Sequence, residues 1–231
     1  VNDDNQNVEQ LVSWDVSDMI VNYGFVCGSV TIGGESGDDN TKLSADKDLL
    51  KKSLTEFVKL RDEFGIVRAE TTLDSCADLF AQGKLAYTIT DVSHLNTIAE
   101  SGISYGVCNI PALSDDMQIE NISENLCAFV NPYSSDVQTA KAVANAMSYD
   151  YAAAVNSTTG LLSSRTISIN SKEYKDTYGK IYEIYSKADD KAKFMGAAYF
   201  YTKFDIMLHQ VWDGTDIETS VNSFLSELKV Q

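Results

Sequence analysis

Gly102, Ser104 and Gly106 have the Gly-x-Ser-x-Gly spacing of a nucleophile elbow, whose serine would carry ester or amide hydrolysis. That chemistry needs a strand before the serine and a helix after it, so that the hydroxyl stands exposed on a sharp turn. Here the order is reversed: a helical stretch precedes and the β-prone run Tyr105–Ile110 follows. A general base would have to come from His94 or His209, the chain's two histidines, and His209 lies among Met207, Leu208, Val211 and Trp212 on a helical pattern. Two isolated histidines, with no CxxC pair among Cys27, Cys76, Cys108 and Cys127, also argue against zinc or iron. The four cysteines read as small buried apolar thiols. Asp38-Asp39-Asn40 and Asp46/Asp48 lack the EF-hand spacing, and Gly33-Gly34 lacks the Gly-Lys-Ser/Thr continuation of a phosphate loop. With 34 acidic side chains, paired carboxylates for glycoside cleavage occur by accident and carry no signal. No metal or other cofactor is expected.

The remaining chemistry is aromatic. Twelve tyrosines and two tryptophans include Trp14, Tyr149, Tyr151 and the run Tyr199-Phe200-Tyr201. Such rings have flat apolar faces and polar tips, which suit the C–H faces and hydroxyl rims of sugars, although any one of them serves equally well as core.

The elements that must hold these residues read as follows. Asp46–Phe64 carries Leu50, Leu54, Phe57, Val58, Arg61 and Phe64 at helical spacing, with Gly65 at the cap position. Gly33–Asn40 before it is a turn. Asp74–Gln82 is a shorter helix closed by Gly83, and Leu85–Thr90 is a strand. A helix at Leu95–Glu100 precedes the expected strands Tyr105–Ile110 and Leu126–Val130, which stop at Pro111 and Asn131-Pro132. Ser135 or Asp136 caps an Ala-rich helix to Met147, with Val137, Ala140, Val143, Ala144 and Met147 on one face. After a turn-rich stretch from Asn156 to Ser164 come helices at about Ser171–Lys187 and Asp190–Trp212. Thr215-Asp216-Ile217-Glu218 reads as a capping box for a final helix. Short strands among long helices define an α/β, helix-rich class.

The chain has 231 residues, 18 basic and 34 acidic, for a net charge of −16. It repels phosphate backbones and anionic lipid, so no nucleic-acid partner is expected. No apolar run approaches the ~20 residues that span a bilayer. Val1–Gln10 is polar and lacks the basic-then-apolar pattern of an export signal.

The order of segments is the sharpest signal. Phe80-Ala81-Gln82-Gly83-Lys84 runs into Leu85-Ala86-Tyr87-Thr88-Ile89-Thr90. Next come a helix, Tyr105-Gly106-Val107-Cys108-Asn109-Ile110-Pro111, a polar hairpin, and a run into Asn131-Pro132-Tyr133. The Ser135–Met147 helix then leads to an Ala-rich continuation and a Gly-Leu-Leu turn. From about Glu9 to Leu228 this resembles the extracellular solute-binding proteins of ABC importers, the maltose-binding-protein-like group.

The resemblance implies a type II periplasmic-binding-protein-like lobe, a mixed sheet flanked by helices. In it, residues 9–111 with 170–231 form the C-terminal lobe, and 112–169 belongs to the N-terminal lobe. The first part of that N-terminal lobe has no counterpart here. The implied function is binding of an extracellular solute, a sugar or oligosaccharide, without catalysis, delivered to ABC permease subunits from a cell-surface lipid-anchored or periplasmic position. Any membrane contact would run through a tether outside this chain.

By the same resemblance Trp14 and Tyr201 would stack on ligand, and Asp91, Ser93 and His94 would supply polar contacts. Sugar binders of this group often carry tryptophan where Asp91-Val92-Ser93-His94 stands. Half a cleft implies weak or absent sugar binding by this chain alone, and the Ser135–Met147 helix is expected to expose its apolar stripe. The alternative reading is a hydrolase, an esterase or glycosidase acting on related substrates.

Overall fold

A computed structural model describes residues 7–115, 117, 119–163 and 172–228, without the side chains of 172–175. The N-terminal residues 1–6, the end of the turn-rich stretch at Ser164, the 169/170 lobe boundary and the last residues of the C-terminal lobe, 229–231, lie outside the described residues.

Strand β1 (Gln10–Trp14) pairs in parallel with β4 (Leu85–Ile89), in register from Gln10↔Leu85 to Trp14↔Ile89. Between them come helix α1 (Met19–Tyr23), the antiparallel hairpin β2 (Val30–Gly33) and β3 (Asp39–Ala45), and helices α2 (Lys47–Phe64) and α3 (Leu73–Ala81). The expected turn at Gly33–Asn40 is the tip of that hairpin. It needs glycine twice, because a Cβ on Gly33, at φ +78°, would lie 2.7 Å from the Cα of Gly37.

Helix α2 forms where its signals lie. Asp46 Oδ1 accepts the N–H groups of Asp48 and Leu49 at 3.0 and 2.9 Å, and Gly65 closes the helix at φ +64°. Its buried stripe, Leu50, Leu54 and Phe57, meets α8 (Ala197–Trp212) and α9 (Ile217–Leu228), and Arg61 Nη1 donates to the Trp212 carbonyl at 2.5 Å. The centre is a closed ring of aromatics. Trp14 contacts Phe25 at 5.5 Å and Phe25 contacts Phe57 at 5.5 Å. Phe57 meets Trp212 at 4.8 Å, and Trp212 returns edge-on to Trp14 at 5.8 Å. Phe200, Phe204 and Phe224 extend this core. A second, smaller cluster joins Leu95 of α4 (Leu95–Glu100) to Tyr178 and Ile181 of α7 (Lys172–Tyr185).

Several expectations change. Among the described residues the strands make three separate two-stranded ladders; the third pairs β5 (Ile122–Ser123) with β6 (Asp189–Asp190). Tyr105–Ile110 and Leu126–Val130 are not strands. The first alternates half-buried and exposed positions as a strand would, Tyr105 and Val107 lying on the small cluster, but no described strand pairs with it. The second is almost wholly exposed, with Leu126 at 82% and Phe129 at 89%. An extended apolar run becomes a strand only when a neighbour satisfies its backbone.

The Ala-rich helix is α5 (Val137–Asn145), capped by Asp136, and it buries no residue. A π turn at Ala146–Asp150 leads to α6 (Ala152–Thr159), so the stretch after Asn156 begins as helix and turns at Gly160. Helix α8 starts at Ala197, not Asp190, because Asp189 and Asp190 are taken by β6. The last helix is capped by Asp216, whose Oδ1 accepts the Thr219 N–H at 2.9 Å, not by Thr215. Cys27 and Cys76 are buried, whereas Cys108 and Cys127, on the runs that form no strand, are exposed.

Candidate functional site

In a parallel ladder the carboxyl ends of all strands share one edge, and the turns leaving them converge there. The register of β1 with β4 therefore sets Asp15–Asp18 beside Thr90–His94. Asp15 organises the first turn: its Oδ1 accepts the Ser17 N–H at 2.8 Å, and its Oδ2 accepts the Leu73 N–H at the start of α3 at 3.2 Å. Asp18 caps α1 by accepting the Val21 N–H at 2.9 Å. From α8, His209 Nε2 donates to the Ser17 carbonyl at 3.2 Å and lies 3.2 Å from Asp205. Burial, with the nearby Asp18 charge, raises the Asp205 carboxyl above the usual range despite His209 and Arg68.

The second turn is tighter. Asp91 Oδ1 accepts from the Ser93 hydroxyl at 2.5 Å, the Ser93 N–H at 2.8 Å and His94 Nδ1 at 3.1 Å. The other imidazole nitrogen, Nε2, donates to Asp74 Oδ1 of α3 at 3.0 Å. Burial pushes the Asp91 carboxyl up, but the bonds from Ser93 and His94 outweigh it and hold the group below its ordinary value. Burial pulls His94 down, and Asp74 and Asp91 together outweigh that and raise it. Ionised carboxylates only accept, so an imidazole facing one on each nitrogen carries two N–H groups and is cationic. Behind the turn, Asn96 Nδ2 donates to the Ser157 carbonyl at 3.0 Å, and Gly160 packs so close to Val92 that a Cβ would lie 2.3 Å from its carbonyl oxygen. Thr90, the first residue beyond β4, has a buried hydroxyl with no hydrogen-bond partner.

Of the five residues singled out from the sequence, Asp91, Ser93 and His94 are brought together on this edge. Trp14 and Tyr201 are core residues. Trp14 is 1% exposed, its indole N–H donating to Asn22 Oδ1 at 2.8 Å. Tyr201 is 6% exposed and its hydroxyl accepts the Ala192 N–H at 2.9 Å. Their ring faces are occupied by neighbouring side chains, so neither offers one to a ligand. Asp15, Asp74 and Thr90 were missed: the Asp74–His94 contact spans twenty positions and leaves no local pattern.

The elbow serine, Ser104, is exposed on the run after α4. The hydroxyl facing a histidine is that of Ser93, 3.3 Å from His94 Nδ1, but its proton goes to Asp91. With Nδ1 turned to Asp91 and Nε2 to Asp74, neither ring nitrogen is the partner that takes the Ser93 proton. Among the described residues no cluster of three or more His, Cys, Asp or Glu is arranged to hold a metal ion. No described helix is long and apolar enough to cross a membrane.

No family model and no curated protein sequence matches this chain. Solved structures do. The maltotriose-binding protein of Thermus thermophilus, bound with maltotriose, superposes with a TM-score of 0.70 at 14% identity, over 95% of this chain and 61% of that one. The maltose-maltodextrin-binding protein of Alicyclobacillus acidocaldarius gives 0.72 at 14% identity, over 98% and 63%. The maltose/maltodextrin-binding domain MalE of Bdellovibrio bacteriovorus, bound to maltotriose, gives 0.74 at 16% identity, over 100% and 62%. The chain has the type II periplasmic-binding-protein-like fold, and it spans 61–63% of the length of these structures.

Proposed function

We propose that this chain is the greater part of a solute-binding protein for a carbohydrate, and that it contributes the turns Asp15–Asp18 and Thr90–His94 as one wall of the binding cleft. The observation that carries this reading is the likeness in fold, over at least 95% of the chain, to three maltose-, maltodextrin- or maltotriose-binding proteins. The site chemistry agrees with it. A polar edge of carboxylates and hydroxyls at the ends of parallel strands suits a neutral, hydroxyl-rich ligand, which donates to Asp91 and accepts from Ser93. The unpartnered Thr90 hydroxyl is a further group that a ligand could satisfy.

In this reading no bond is made or broken. The solute passes to the permease subunits of an ABC importer, and the protein works at the cell surface or in the periplasm, held by a tether outside this chain. Residues 9–111 and 170–231 form one lobe, and 112–169 belongs to the other. The exposed apolar residues of 126–155 support the last assignment, since a segment built to pack against a second lobe would leave such residues uncovered.

The test is a heteronuclear NMR titration of this chain with maltose, maltotriose and other neutral oligosaccharides at millimolar concentration. Shifts confined to the amides of 15–18 and 90–96 are expected, with weak affinity that Ser93→Ala lowers further. Absence of shifts there for every sugar, or shifts confined to another face, would remove the reading.

A further inference from the structure

The Asp91–His94 turn is fastened to α3 through one imidazole. Nδ1 faces Asp91 on its own turn at 3.1 Å, and Nε2 faces Asp74 in the first turn of α3 at 3.0 Å. Among the described residues, the charged groups in contact with it are these two carboxylates, and Asp15 and Asp18 stand on the neighbouring turn after β1. Helix α6, behind the turn, contains no titratable residue, and α7 brings Tyr178, Ile181 and Tyr182 against Leu95 and Val92. The imidazole is mostly covered, with 14% of its side chain exposed, while Asp74 stands 92% exposed with the contact to His94 at its tip.

We propose that His94 is a proton-dependent clasp that ties the β4–α4 turn to α3 while it is doubly protonated and lets go of Asp74 when it loses a proton. A neutral imidazole has one N–H and one lone pair, so it cannot donate to two carboxylates at once. The partner released is Asp74, because Asp91 is held independently by the Ser93 hydroxyl and N–H, and Asp74 has water to turn to. Release frees the turn that presents Asp91 and Ser93.

The direction with pH follows from the two groups. His94 is raised on folding, so its contribution is complete below the ordinary histidine value of about 6.5 and is lost as pH rises through the folded value. Asp91 is lowered, so its contribution is present above the ordinary aspartate value of about 3.9 and is lost as pH falls through the folded value. The clasp is therefore closed between the ordinary aspartate and histidine values and opens as pH rises through the folded His94 value. This deepens the reading of the edge as a solute site and rests on it in one respect: affinity for sugar at the turn is then greater at pH 6 than at pH 9.

The experiment is an NMR titration of the His94 ring protons, with hydrogen-exchange protection of the 93–95 amides measured on both sides of the midpoint, in the wild-type chain and in Asp74→Asn. Asp74 is exposed, so the variant folds. A His94 midpoint above 6.5 that moves down in Asp74→Asn is expected, with protection factors that fall across the wild-type midpoint and show no step in the variant. A midpoint at or below 6.5, or one that Asp74→Asn leaves in place, would overturn the clasp. Neither readout needs a ligand. A clasp that titrates as stated in a chain that shifts with no sugar leaves the clasp standing and removes the binding reading; sugar shifts at 90–96 with an ordinary His94 midpoint do the reverse.

Discussion

At the level of single residues, the same side-chain type serves opposite ends depending on what lies against it. Trp14 is the last residue of a strand whose carboxyl edge carries the candidate site, yet it is spent on the core. Phe25 and Trp212 cover its ring, and Asn22, 1% exposed, satisfies its indole N–H. Truncating it removes a whole buried ring and leaves the Asn22 amide without that partner. Trp14→Ala is therefore expected to cost about 3–5 kcal/mol, read as a drop in the urea midpoint at unchanged slope. A change near zero would mean that the ring sits at the surface and is available to a ligand. Asp91, Ser93 and His94 were singled out through the resemblance alone, although the Asx turn that joins them lies within four residues. Asp74 was not, because a contact across twenty positions is set by how α3 and the turn pack, which no local pattern encodes.

Elements were legible where their signals are local. The caps Asp46 and Gly65, the apolar spacing of α2 and the closing Gly83 all fall within one or two residues of where the sequence puts them. Strands were legible only where a partner exists: Leu85–Ile89 has β1, whereas Tyr105–Ile110 has the alternation but no described neighbour. Two glycines at helix ends separate backbone strain from crowding. Gly65 and Gly160 both sit at positive φ, +64° and +73°, but a Cβ on Gly65 meets nothing within 4 Å and one on Gly160 meets the Val92 oxygen at 2.3 Å. Gly65→Ala is expected to cost about 1–2 kcal/mol, the price of a left-handed residue with a side chain. Gly160→Ala should cost distinctly more in the same denaturant melts and should shift the amides of 91–94, because Val92 must move. Equal costs for the two would show that α6 does not abut the turn.

For the molecule as a whole, the order of its segments made the fold legible and left the ladders illegible, since three two-stranded pieces and one mixed sheet share the same alternation of elements. The uncovered face is its other large-scale property. Phe129 and Tyr133, 89% and 93% exposed, precede a helix that buries nothing. The chain is expected to bind a hydrophobic dye and to self-associate with concentration, both reduced in a Phe129→Ser/Tyr133→Ser double variant, as followed by fluorescence and light scattering. Indifference of both signals to that variant would mean that the face is covered in solution. The placement of the cysteines has its own outcome. Burial raises the Cys27 thiol to about 11, whereas Cys108 and Cys127 stand in water on the runs that form no strand. Alkylating reagents attack the ionised sulfur, so the outer two would be modified at once and the inner two after the core has opened. The polypeptide thus carries a chemical clock for its own unravelling, with no label added.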